Sequence, residues 1–362
     1  MGGGQYGEEE EMIDINFYQK FFGLKQRLMK GEKFGKEVLW NLVEYYRELS
    51  PTIYNIETTN ACNMKCKMCP RTTMMTRKIE IMGLKDFENI VSQIRPWDKK
   101  EWEQWQTFVE KNYKVDRNEI SQNNFFLFDI PRVVVLHGYG DPLLDETISQ
   151  KVYTLSKKNI PSYFSCNPAN INLEKSLETF KNGLGIVKYS IESVEDNIHK
   201  QIRGEASNFS NSYKKIVELI NKKEKQNLET KIVITMLDLG RPHQEEEFEK
   251  LKEKFKGYDV YIYKKSQDQV WYQNKEKNTS SIHWLEPCQF PWSSMTIKSN
   301  SEAVQCVEDY NNEIVLGNAK KESLYHIWNG KKYDRLRRAH FDVKPGIKCS
   351  ERCDMKLLGE YL

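Results

Sequence analysis

The sequence has little net charge and no long apolar run. Lys and Arg together number 55 against 52 Asp and Glu, so the net charge is only +3. A balance this even does not indicate a nucleic-acid partner or an anionic membrane surface. The best apolar run, residues 232–237, is far shorter than the roughly 20 residues of a membrane helix and predicts a buried strand. We therefore expect no nucleic acid and no membrane.

The start of the chain lacks the signals of a targeted protein. It reads Met-Gly-Gly-Gly-Gln-Tyr-Gly before four glutamates, which is not the pattern of a signal peptide. Tyr6 stands where an N-myristoylation pattern requires Ser or Thr. The 8 cysteines are expected to be metal ligands rather than disulfides, as in a cytosolic protein. We expect a cytoplasmic location.

Three of the cysteines lie close together in a Cys-x3-Cys-x2-Cys pattern. Cys62, Cys66 and Cys69 follow residues 52–58, whose alternating β-branched and aromatic residues predict a strand. Iron–sulfur clusters prefer such soft sulfur ligands. Three thiolates can hold three corners of a four-iron cube and leave the fourth iron open, as in catalytic metal sites with an open position.

A structural zinc site is the alternative for these three cysteines. Zinc sites usually combine Cys-x2-Cys with a second ligand pair, and no fourth ligand lies near this motif in the sequence. The spacing therefore favours a cluster over zinc.

From residue 52 onward, predicted strands alternate with predicted helices. Each strand is a short β-branched or aromatic run, and each helix shows apolar residues at helical spacing. The predicted strands span 52–58, 132–136, 161–166, 185–191, 231–237 and 258–263. This alternation predicts a parallel sheet with right-handed crossovers. We expect residues 51–265 to form one domain, with its chemistry at the carboxyl ends of the strands.

Two segments lie outside this alternation. Residues 1–50 contain two predicted helices, 11–31 and 34–49, which we expect to pack on the outside of the main domain. Residues 96–124 form an insertion rich in Trp, Phe and Tyr between the first helix and the second strand. It is either a helix docked on the barrel rim, which we favour, or an aromatic lid or partner surface.

Polar residues follow three of the predicted strands. The second strand leads into 137–143, His-Gly-Tyr-Gly-Asp-Pro-Leu, whose glycines let the backbone approach a ligand closely. Asn167 ends the third strand and offers a polar contact to a cofactor or substrate, and Ser190 and Glu192 end the fourth. A helix N-cap would explain one of these residues but not their recurrence at successive strand ends.

The cysteine motif after a first strand resembles the signature of the radical S-adenosylmethionine (SAM) superfamily. In that family the open iron binds the amino and carboxylate groups of SAM, and an electron from the cluster cleaves SAM to a 5′-deoxyadenosyl radical. Met68 fits the large apolar residue that usually precedes the third cysteine. The resemblance covers about residues 52–362. It implies an α/β fold with a partial, TIM-like (β/α)6 barrel, an N-terminal helical pair and a small C-terminal iron–sulfur domain.

The resemblance also implies contacts to SAM. Residues 138–141 resemble the family's Gly-Gly-Glu-like motif, whose backbone and acidic residue meet the amino group of SAM. Here Tyr139 and Gly140 take the backbone positions, and Asp141 stands in for the glutamate. Ser190 and Glu192 resemble the family's Ser-x-Glu, in which the hydroxyl and carboxylate hold the carboxylate and ribose of SAM.

The C-terminal segment, 266–362, carries four more cysteines. Cys288, Cys306, Cys349 and Cys353 could surround one metal centre, for which zinc competes on spacing alone. Residues 316–318 and 323–329 resemble the SPASM/Twitch extension of radical SAM enzymes, which holds auxiliary four-iron clusters. A full SPASM domain has seven cysteines, so four suggest a Twitch-like domain with one auxiliary [4Fe-4S] cluster.

We therefore expect a radical SAM oxidoreductase that abstracts hydrogen from a small metabolite of the sugar or aminocyclitol type. An external one-electron reductant, of the flavodoxin or ferredoxin type, would supply the electron. One alternative is a SPASM-type maturase that modifies a ribosomally made peptide. The other is a non-catalytic iron–sulfur electron-transfer protein. Residues 1–50 are too short for a peptide-recognition module, which favours the small metabolite. The sequence identifies no catalytic base.

Overall fold

A computed structural model describes residues 14–266, 288 and 290–342, with the backbone alone at Met29. The strands are β1 Ile53–Ile56, β2 Val134–Val135, β3 Ser162–Cys166, β4 Ile186–Ser190, β5 Lys231–Leu237, β6 Tyr261–Lys265, β7 Met295–Ile297, β8 Glu302–Val304 and β9 Val315–Asn318. The α-helices are α1 Ile15–Met29, α2 Lys36–Tyr46, α3 Pro70–Thr73, α4 Leu84–Ser92, α5 Lys99–Tyr113, α6 Gln122–Asn124, α7 Ile148–Ser156, α8 Leu173–Lys181, α9 Asp196–Arg203, α10 Phe209–Lys225, α11 Gln244–Lys254, α12 Phe290–Ser293, α13 Leu324–Trp328 and α14 Lys331–Asp342.

The strands form one sheet in the order β6-β5-β4-β3-β2-β1-β7-β8-β9. All pairings from β1 to β6 are parallel, and helices connect successive strands. The predicted alternation of six strands with helices is confirmed. Central strands such as β3 and β4 are buried along most of their length, as expected for a parallel sheet that is covered on both faces. The carboxyl ends of β1 to β6 therefore lie along one edge of the sheet.

Several of the predicted strands are shorter than expected, and β1 covers only Ile53–Ile56 of the predicted 52–58. A 3₁₀ turn over Ile130–Arg132, which includes Pro131, occupies the predicted start of β2. The Asn55 side chain of β1 donates to the carbonyl oxygens of Val135 (3.2 Å) and His137 (2.5 Å). These bonds take the place of backbone hydrogen bonds that would otherwise extend the pairing of β1 with β2. The predicted strand at 258–263 begins only at Tyr261, because Tyr258 still bonds back to Phe255 at the end of α11.

A second hydrophobic core joins the N-terminal helices to the insertion. Trp105 of α5 is fully buried, and its Nε1 donates to the Leu127 carbonyl at 2.7 Å. Tyr18 of α1 packs edge-on against the Trp105 ring, and Trp40 of α2 packs against Trp292. The insertion forms helix α5, whose aromatic residues contact α1, whereas we expected it to dock on the barrel rim. Within the described ranges, no helix combines the length and apolar character needed to cross a bilayer.

The C-terminal strands extend the same sheet. β7 pairs in parallel with β1, with Ile53 opposite Met295 and Ile56 opposite Ile297. β8 and β9 then continue in antiparallel pairing. The expected domain boundary between residues 265 and 266 thus does not interrupt the sheet. The helical pair of residues 1–50 is described as α1 and α2, while residues 1–13 lie outside the described residues.

Candidate active site

The cysteine loop is fastened to the carboxyl end of α9. The backbone N–H of Lys65 donates to the Arg203 carbonyl at 3.1 Å, and that of Lys67 donates to the Ile202 carbonyl at 2.9 Å. Gly204 ends α9 with φ +100°, and a Cβ there would lie 3.1 Å from the Lys65 nitrogen. Only glycine combines this backbone conformation with so close an approach. The loop after β1 is therefore held by a segment that follows β4.

The three thiols of this loop are free and occupy one neighbourhood. Cys66 is buried, and Cys62 and Cys69 are half-buried. Burial, together with the nearby Cys66 and Cys62, raises the pKa of Cys69 to about 11. Burial also raises the pKa of Cys62. In the absence of metal these two thiols stay protonated at neutral pH, so metal binding releases their protons.

The donor set fits an iron–sulfur cluster better than a zinc ion. Among the described residues, no three His, Cys, Asp or Glu side chains converge as the ligands of one metal ion do. In a four-iron cube the three thiolates bind three different iron atoms. They can therefore share a loop without converging on a single metal ion. Met68, which precedes Cys69, is half-buried.

The glycine loop after β2 packs against the chain itself. A Cβ at Gly138 would overlap the Glu57 side chain, and a Cβ at Gly140 would overlap the Thr59 carbonyl. The Asp141 N–H donates to the Ala61 carbonyl at 2.8 Å, which fixes the loop beside the start of the cysteine motif. The glycines therefore allow close packing against the segment that follows β1. The close approach of this loop to a ligand stays a prediction.

Asp141 and Asn167 are both engaged by neighbouring protein groups. Asp141 Oδ2 accepts from the Asn167 N–H at 3.0 Å and from Asn170 Nδ2 at 2.7 Å, and Oδ1 accepts from the Leu143 N–H at 3.0 Å. Asn167 Nδ2 lies 3.1 Å from Ser207 Oγ. Burial raises the pKa of Asp141, although these hydrogen bonds lower it in part. The Asp141 side chain therefore fastens the end of β2 to the end of β3, and the Asn167 side chain connects the end of β3 to Ser207.

Glu192 and Arg203 connect the end of β4 to the cysteine loop. Glu192 is buried, forms an ion pair with Arg203 Nη2, and accepts from the Leu237 N–H at 2.8 Å through Oε2. Arg203 Nη1 lies 3.7 Å from Cys66 Sγ. Burial lowers the pKa of Arg203, but its interactions with Glu192 and with Cys66 outweigh burial and raise the pKa overall. Arg203 therefore stays charged between a carboxylate and a candidate cluster ligand.

A cavity of about 250 Å³ opens beside these residues at the carboxyl ends of the strands. Tyr139, Ser190 and Glu192 line it, together with Arg203. Met68, Gly140, Asp141 and Asn167 do not line it. A slightly larger cavity, about 310 Å³, lies at the opposite end of β1 and contains none of the predicted site residues. The first cavity is the candidate active site because it adjoins the cysteine loop.

Sequence reasoning missed Glu57, the acceptor that joins three parts of this region. The buried Glu57 carboxylate accepts two 2.9 Å bonds from Arg77, one from the Tyr139 N–H at 3.2 Å, and two from Ser299. Burial would raise the pKa of Glu57, but the charges of Lys298 and Arg77 hold it below its ordinary value. Glu57 could have been identified from the sequence by its position at the end of the first predicted strand, close to the cysteine motif.

Sequence reasoning also missed several cavity-lining residues. These are His137 after β2, Lys188 on β4 and Lys265 at the end of β6. His137 directly follows a predicted strand and Lys188 lies within one, and these positions could have identified both residues; Lys265 lies two residues beyond the predicted strand 258–263. His137 Nδ1 accepts from the Ser165 N–H at 3.0 Å. Burial and the charges of Lys188 and Lys265 hold the pKa of His137 well below its ordinary 6.5.

The structure describes two of the four C-terminal cysteines. Cys306 is buried beyond β8, and Gln305 Nε2 lies 3.4 Å from its Sγ. Cys288 is half-buried just before α12. Arg337 of α14 donates through Nε to the Pro291 carbonyl at 2.7 Å and so fixes the segment that follows Cys288. Cys349 and Cys353 lie outside the described residues.

The segment after Cys306 contacts the segment after the first cysteine motif. Arg77 Nε donates to the Tyr310 carbonyl at 2.6 Å, and the Thr76 N–H donates to Asn311 Oδ1 at 2.8 Å. The Tyr139 hydroxyl donates to Glu308 Oε2 at 2.6 Å. Two cysteine-bearing regions that are far apart in sequence therefore contact each other, and Glu308 of the second region lines the cavity.

Comparison with known families agrees with this geometry. Residues 56–255 match the Radical SAM superfamily, which is more than half of the 362-residue chain. Residues 288–354 match SPASM, an iron-sulfur cluster-binding domain. No curated protein matches the chain.

Several solved structures share the fold. Streptococcus suis SuiB bound to precursor peptide SuiA has a TM-score of 0.52 and 13% identity, over 89% of this chain and 79% of SuiB. Histidine-tagged anSMEcpe with bound AdoMet has a TM-score of 0.50 and 14% identity, over 83% of this chain and 84% of anSMEcpe. BtrN in complex with AdoMet and 2-DOIA has a TM-score of 0.48 and 14% identity, over 85% of this chain and 94% of BtrN. Identities this low show similarity of fold alone.

Proposed function

This chain belongs to the radical SAM superfamily, and from that premise we propose that Cys62, Cys66 and Cys69 hold its SAM-binding cluster and that the adjoining cavity receives a small metabolite. The chain is a radical SAM enzyme, and its cofactors are SAM, a [4Fe-4S] cluster and auxiliary iron–sulfur in the SPASM domain. When bound, these cofactors supply reductive cleavage of SAM to a 5′-deoxyadenosyl radical, which abstracts hydrogen from the substrate.

One observation carries the proposal: Arg203 joins the cysteine loop to the cavity. Its guanidinium lies 3.7 Å from Cys66 Sγ, pairs with Glu192 and lines the cavity. A cation beside a ligand sulfur stabilises negative charge there, and charge near a cluster sets its potential. The same guanidinium orients Glu192, which we propose meets SAM together with Ser190. Tyr139 and Gly140 would meet SAM through their backbone, while Asp141 and Asn167 would hold the loop that does so.

The predicted domain limits and auxiliary ligands are part of the proposal. We assign residues 51–265 to the barrel and 266–362 to the auxiliary domain, although the sheet is continuous between them. Cys288, Cys306, Cys349 and Cys353 would hold one auxiliary [4Fe-4S] cluster. That number of ligands leaves no iron open, so the auxiliary cluster would exchange electrons with the substrate or position it rather than bind it.

A small metabolite is favoured over a peptide because the N-terminal helices are already engaged. α1 and α2 bury Phe17, Tyr18 and Trp40 in the second core rather than forming a separate recognition module. A peptide substrate is the second candidate, since the fold is shared with SuiB, which has been crystallised with its precursor peptide SuiA. A flavodoxin- or ferredoxin-type reductant in the cytoplasm would supply the electron.

The test is anaerobic incubation of the reconstituted protein with SAM and dithionite. We expect 5′-deoxyadenosine from the unaltered chain and none from the variant in which Cys62, Cys66 and Cys69 are replaced by Ala. The matched control is Cys166→Ala, which removes a buried thiol outside the motif and should retain cleavage. Continued formation of 5′-deoxyadenosine by the triple variant would refute the assignment of the cluster ligands.

A further inference from the structure

His199 of α9 is a buried histidine to which the proposed function assigns no role. Its side chain is fully buried, and it is not among the residues that line the cavity. α9 is the helix that follows β4, whose end carries Ser190 and Glu192. A histidine that reaches neither solvent nor the cavity can affect the site only through the groups that it contacts.

One nitrogen of the His199 ring binds the backbone of Glu192. The Glu192 N–H donates to His199 Nδ1 at 3.3 Å. Because a backbone N–H only donates, Nδ1 carries the lone pair, and in the neutral ring the proton resides on Nε2. Burial and the charge of Arg203 lower the pKa of His199 to about 4, so the ring is neutral at pH 7. The ring therefore has one fixed acceptor and one fixed donor.

Helix α9 contacts Glu192 at two points. Arg203 follows His199 by one helical turn on the same face of α9 and pairs with the Glu192 carboxylate. From outside α9, Arg241 Nη2 donates to the Glu192 carbonyl at 2.8 Å, and the Leu237 N–H donates to its carboxylate. Glu192 is therefore held at its N–H, its carbonyl and its side chain, and His199 is the group that binds the N–H.

The other nitrogen of the His199 ring connects Glu192 to the end of the neighbouring strand. Nε2–H donates to Ser207 Oγ at 2.8 Å, and Ser207 Oγ lies 3.2 Å from Asn167 Oδ1. The Asn167 N–H donates in turn to Asp141. All five of these residues are buried, so no water competes for their hydrogen bonds. One imidazole thus joins the end of β4 to the end of β3.

We infer that His199 is a positioning residue for SAM, which acts through the Glu192 N–H and fixes where Ser190 and Glu192 face the cavity. The inference rests on the proposed function, because it requires that these two cavity-lining residues meet SAM. Removal of the Nδ1 acceptor would leave the Glu192 N–H buried without a partner, which is costly. The end of β4 would then shift to satisfy that N–H, and Ser190 and Glu192 would move with it.

Two amide substitutions separate the two hydrogen bonds of the ring. In His199→Asn the amide oxygen lies as many bonds from Cα as Nδ1 does, so it can accept from the Glu192 N–H. In His199→Gln the amide nitrogen corresponds to Nε2, so it can donate to Ser207 Oγ but leaves Glu192 without its acceptor. His199→Phe keeps a ring and removes both hydrogen bonds. The measurement is equilibrium dialysis of labelled SAM against the reconstituted, oxidised chain, which does not cleave SAM without a reductant.

We expect the dissociation constant of SAM to rise by about tenfold or more in His199→Phe and His199→Gln, and to stay within about threefold in His199→Asn. Ser207→Ala should also stay within about threefold, because the Asn167 backbone rather than Ser207 holds Asp141. The matched control is His326→Phe, which replaces an exposed histidine and should leave binding unchanged. At equal iron content, any other order of affinities would overturn the inference. The Asn and Ala variants test it even where His199→Phe does not fold.

A kinetic measurement separates positioning from a direct part in the chemistry. With dithionite as reductant, His199→Gln should raise the KM for SAM and retain the kcat for 5′-deoxyadenosine formation, because saturating SAM compensates for a misplaced contact. Loss of kcat with iron content unchanged would overturn the inference. Failure of the unaltered chain to bind SAM would instead refute the proposed function. Equal binding of SAM by the unaltered chain and by all three His199 variants would overturn the inference alone.

Discussion

Replacing Glu57 with Gln should destabilise the protein strongly. Glu57 is fully buried, and its carboxylate is paired with Arg77, whose side chain is only 8% exposed. The buried ammonium of Lys298 also acts on it. The substitution keeps the shape but removes the charge, so Arg77 and Lys298 lose their shared counterion. Removal of one partner from a buried ion pair costs about 3–5 kcal/mol.

The assay is urea denaturation of the anaerobic, reconstituted protein at neutral pH, followed by tryptophan fluorescence. With a slope of about 3 kcal/mol per M, the midpoint should fall by roughly 1 M or more. The matched control is Glu103→Gln, which breaks an exposed pair with Lys99 (3.7 Å) and should change stability by about 0.5 kcal/mol or less. A loss below about 1 kcal/mol for Glu57→Gln would refute the view that its charge holds this junction together.

The sign of the pH dependence follows from the pKa of Glu57. Its folded-state pKa lies below the ordinary 4.5, because the charges of Lys298 and Arg77 outweigh burial. The stability that Glu57 contributes is therefore fully present at neutral pH and is lost only as the pH falls through the folded-state pKa. The difference in the free energy of unfolding between the Glu57→Gln variant and the unaltered chain should be constant from pH 6 to 8. A difference that grows toward acid would contradict this assignment.

Four further predictions concern the metal sites and the residues beside them. Anaerobic reconstitution should yield about eight irons per chain from two four-iron clusters, and stoichiometric zinc without iron would contradict the ligand assignment. Replacing all four C-terminal cysteines with Ala should retain SAM cleavage but stop substrate turnover. The single variant Cys353→Ala should likewise retain SAM cleavage and lose substrate turnover. Normal turnover with both clusters present would exclude Cys353 as a ligand. Arg203→Leu should cost about 3 kcal/mol or more, because it leaves Glu192 buried without its cation, and should reduce 5′-deoxyadenosine formation. A variant as stable and active as the unaltered chain would show that the contact with Cys66 is incidental.

The strand–helix alternation was predictable because it is encoded locally. Runs such as 231–237 carry β-branched and apolar residues over a full strand length, and β5 spans those same residues. Cys62, Cys66 and Cys69 were equally accessible, since their spacing lies within one loop. β7 and β8 were not predicted because each is only three residues long, too short for a periodic pattern.

The parts of the site that depend on distant contacts could not be predicted. Glu57 meets Ser299, which lies 242 positions away in the chain, and no local pattern indicates such a pairing. Asp141 and Asn167 were identified as polar strand-end residues, but the sequence could not tell that each would bind the other. Lys188 sits in the middle of an otherwise apolar strand, where only the register of β3 and β4 shows that it points into the cavity.

The parallel pairing of β7 with β1 has a consequence for electron transfer. One cysteine motif begins shortly after β1 ends, and Cys306 follows β8, the immediate neighbour of β7. Tunnelling rates depend steeply on the separation of the redox centres, and here backbone hydrogen bonds between adjacent strands determine where both cysteine regions lie. A hinge between barrel and auxiliary domain would have to break those hydrogen bonds. On the proposed ligand assignment, we expect the separation of the first cysteine motif and Cys306 to be the same before and after substrate binds. Substrate would then control the timing of electron transfer through its own redox state rather than through domain closure.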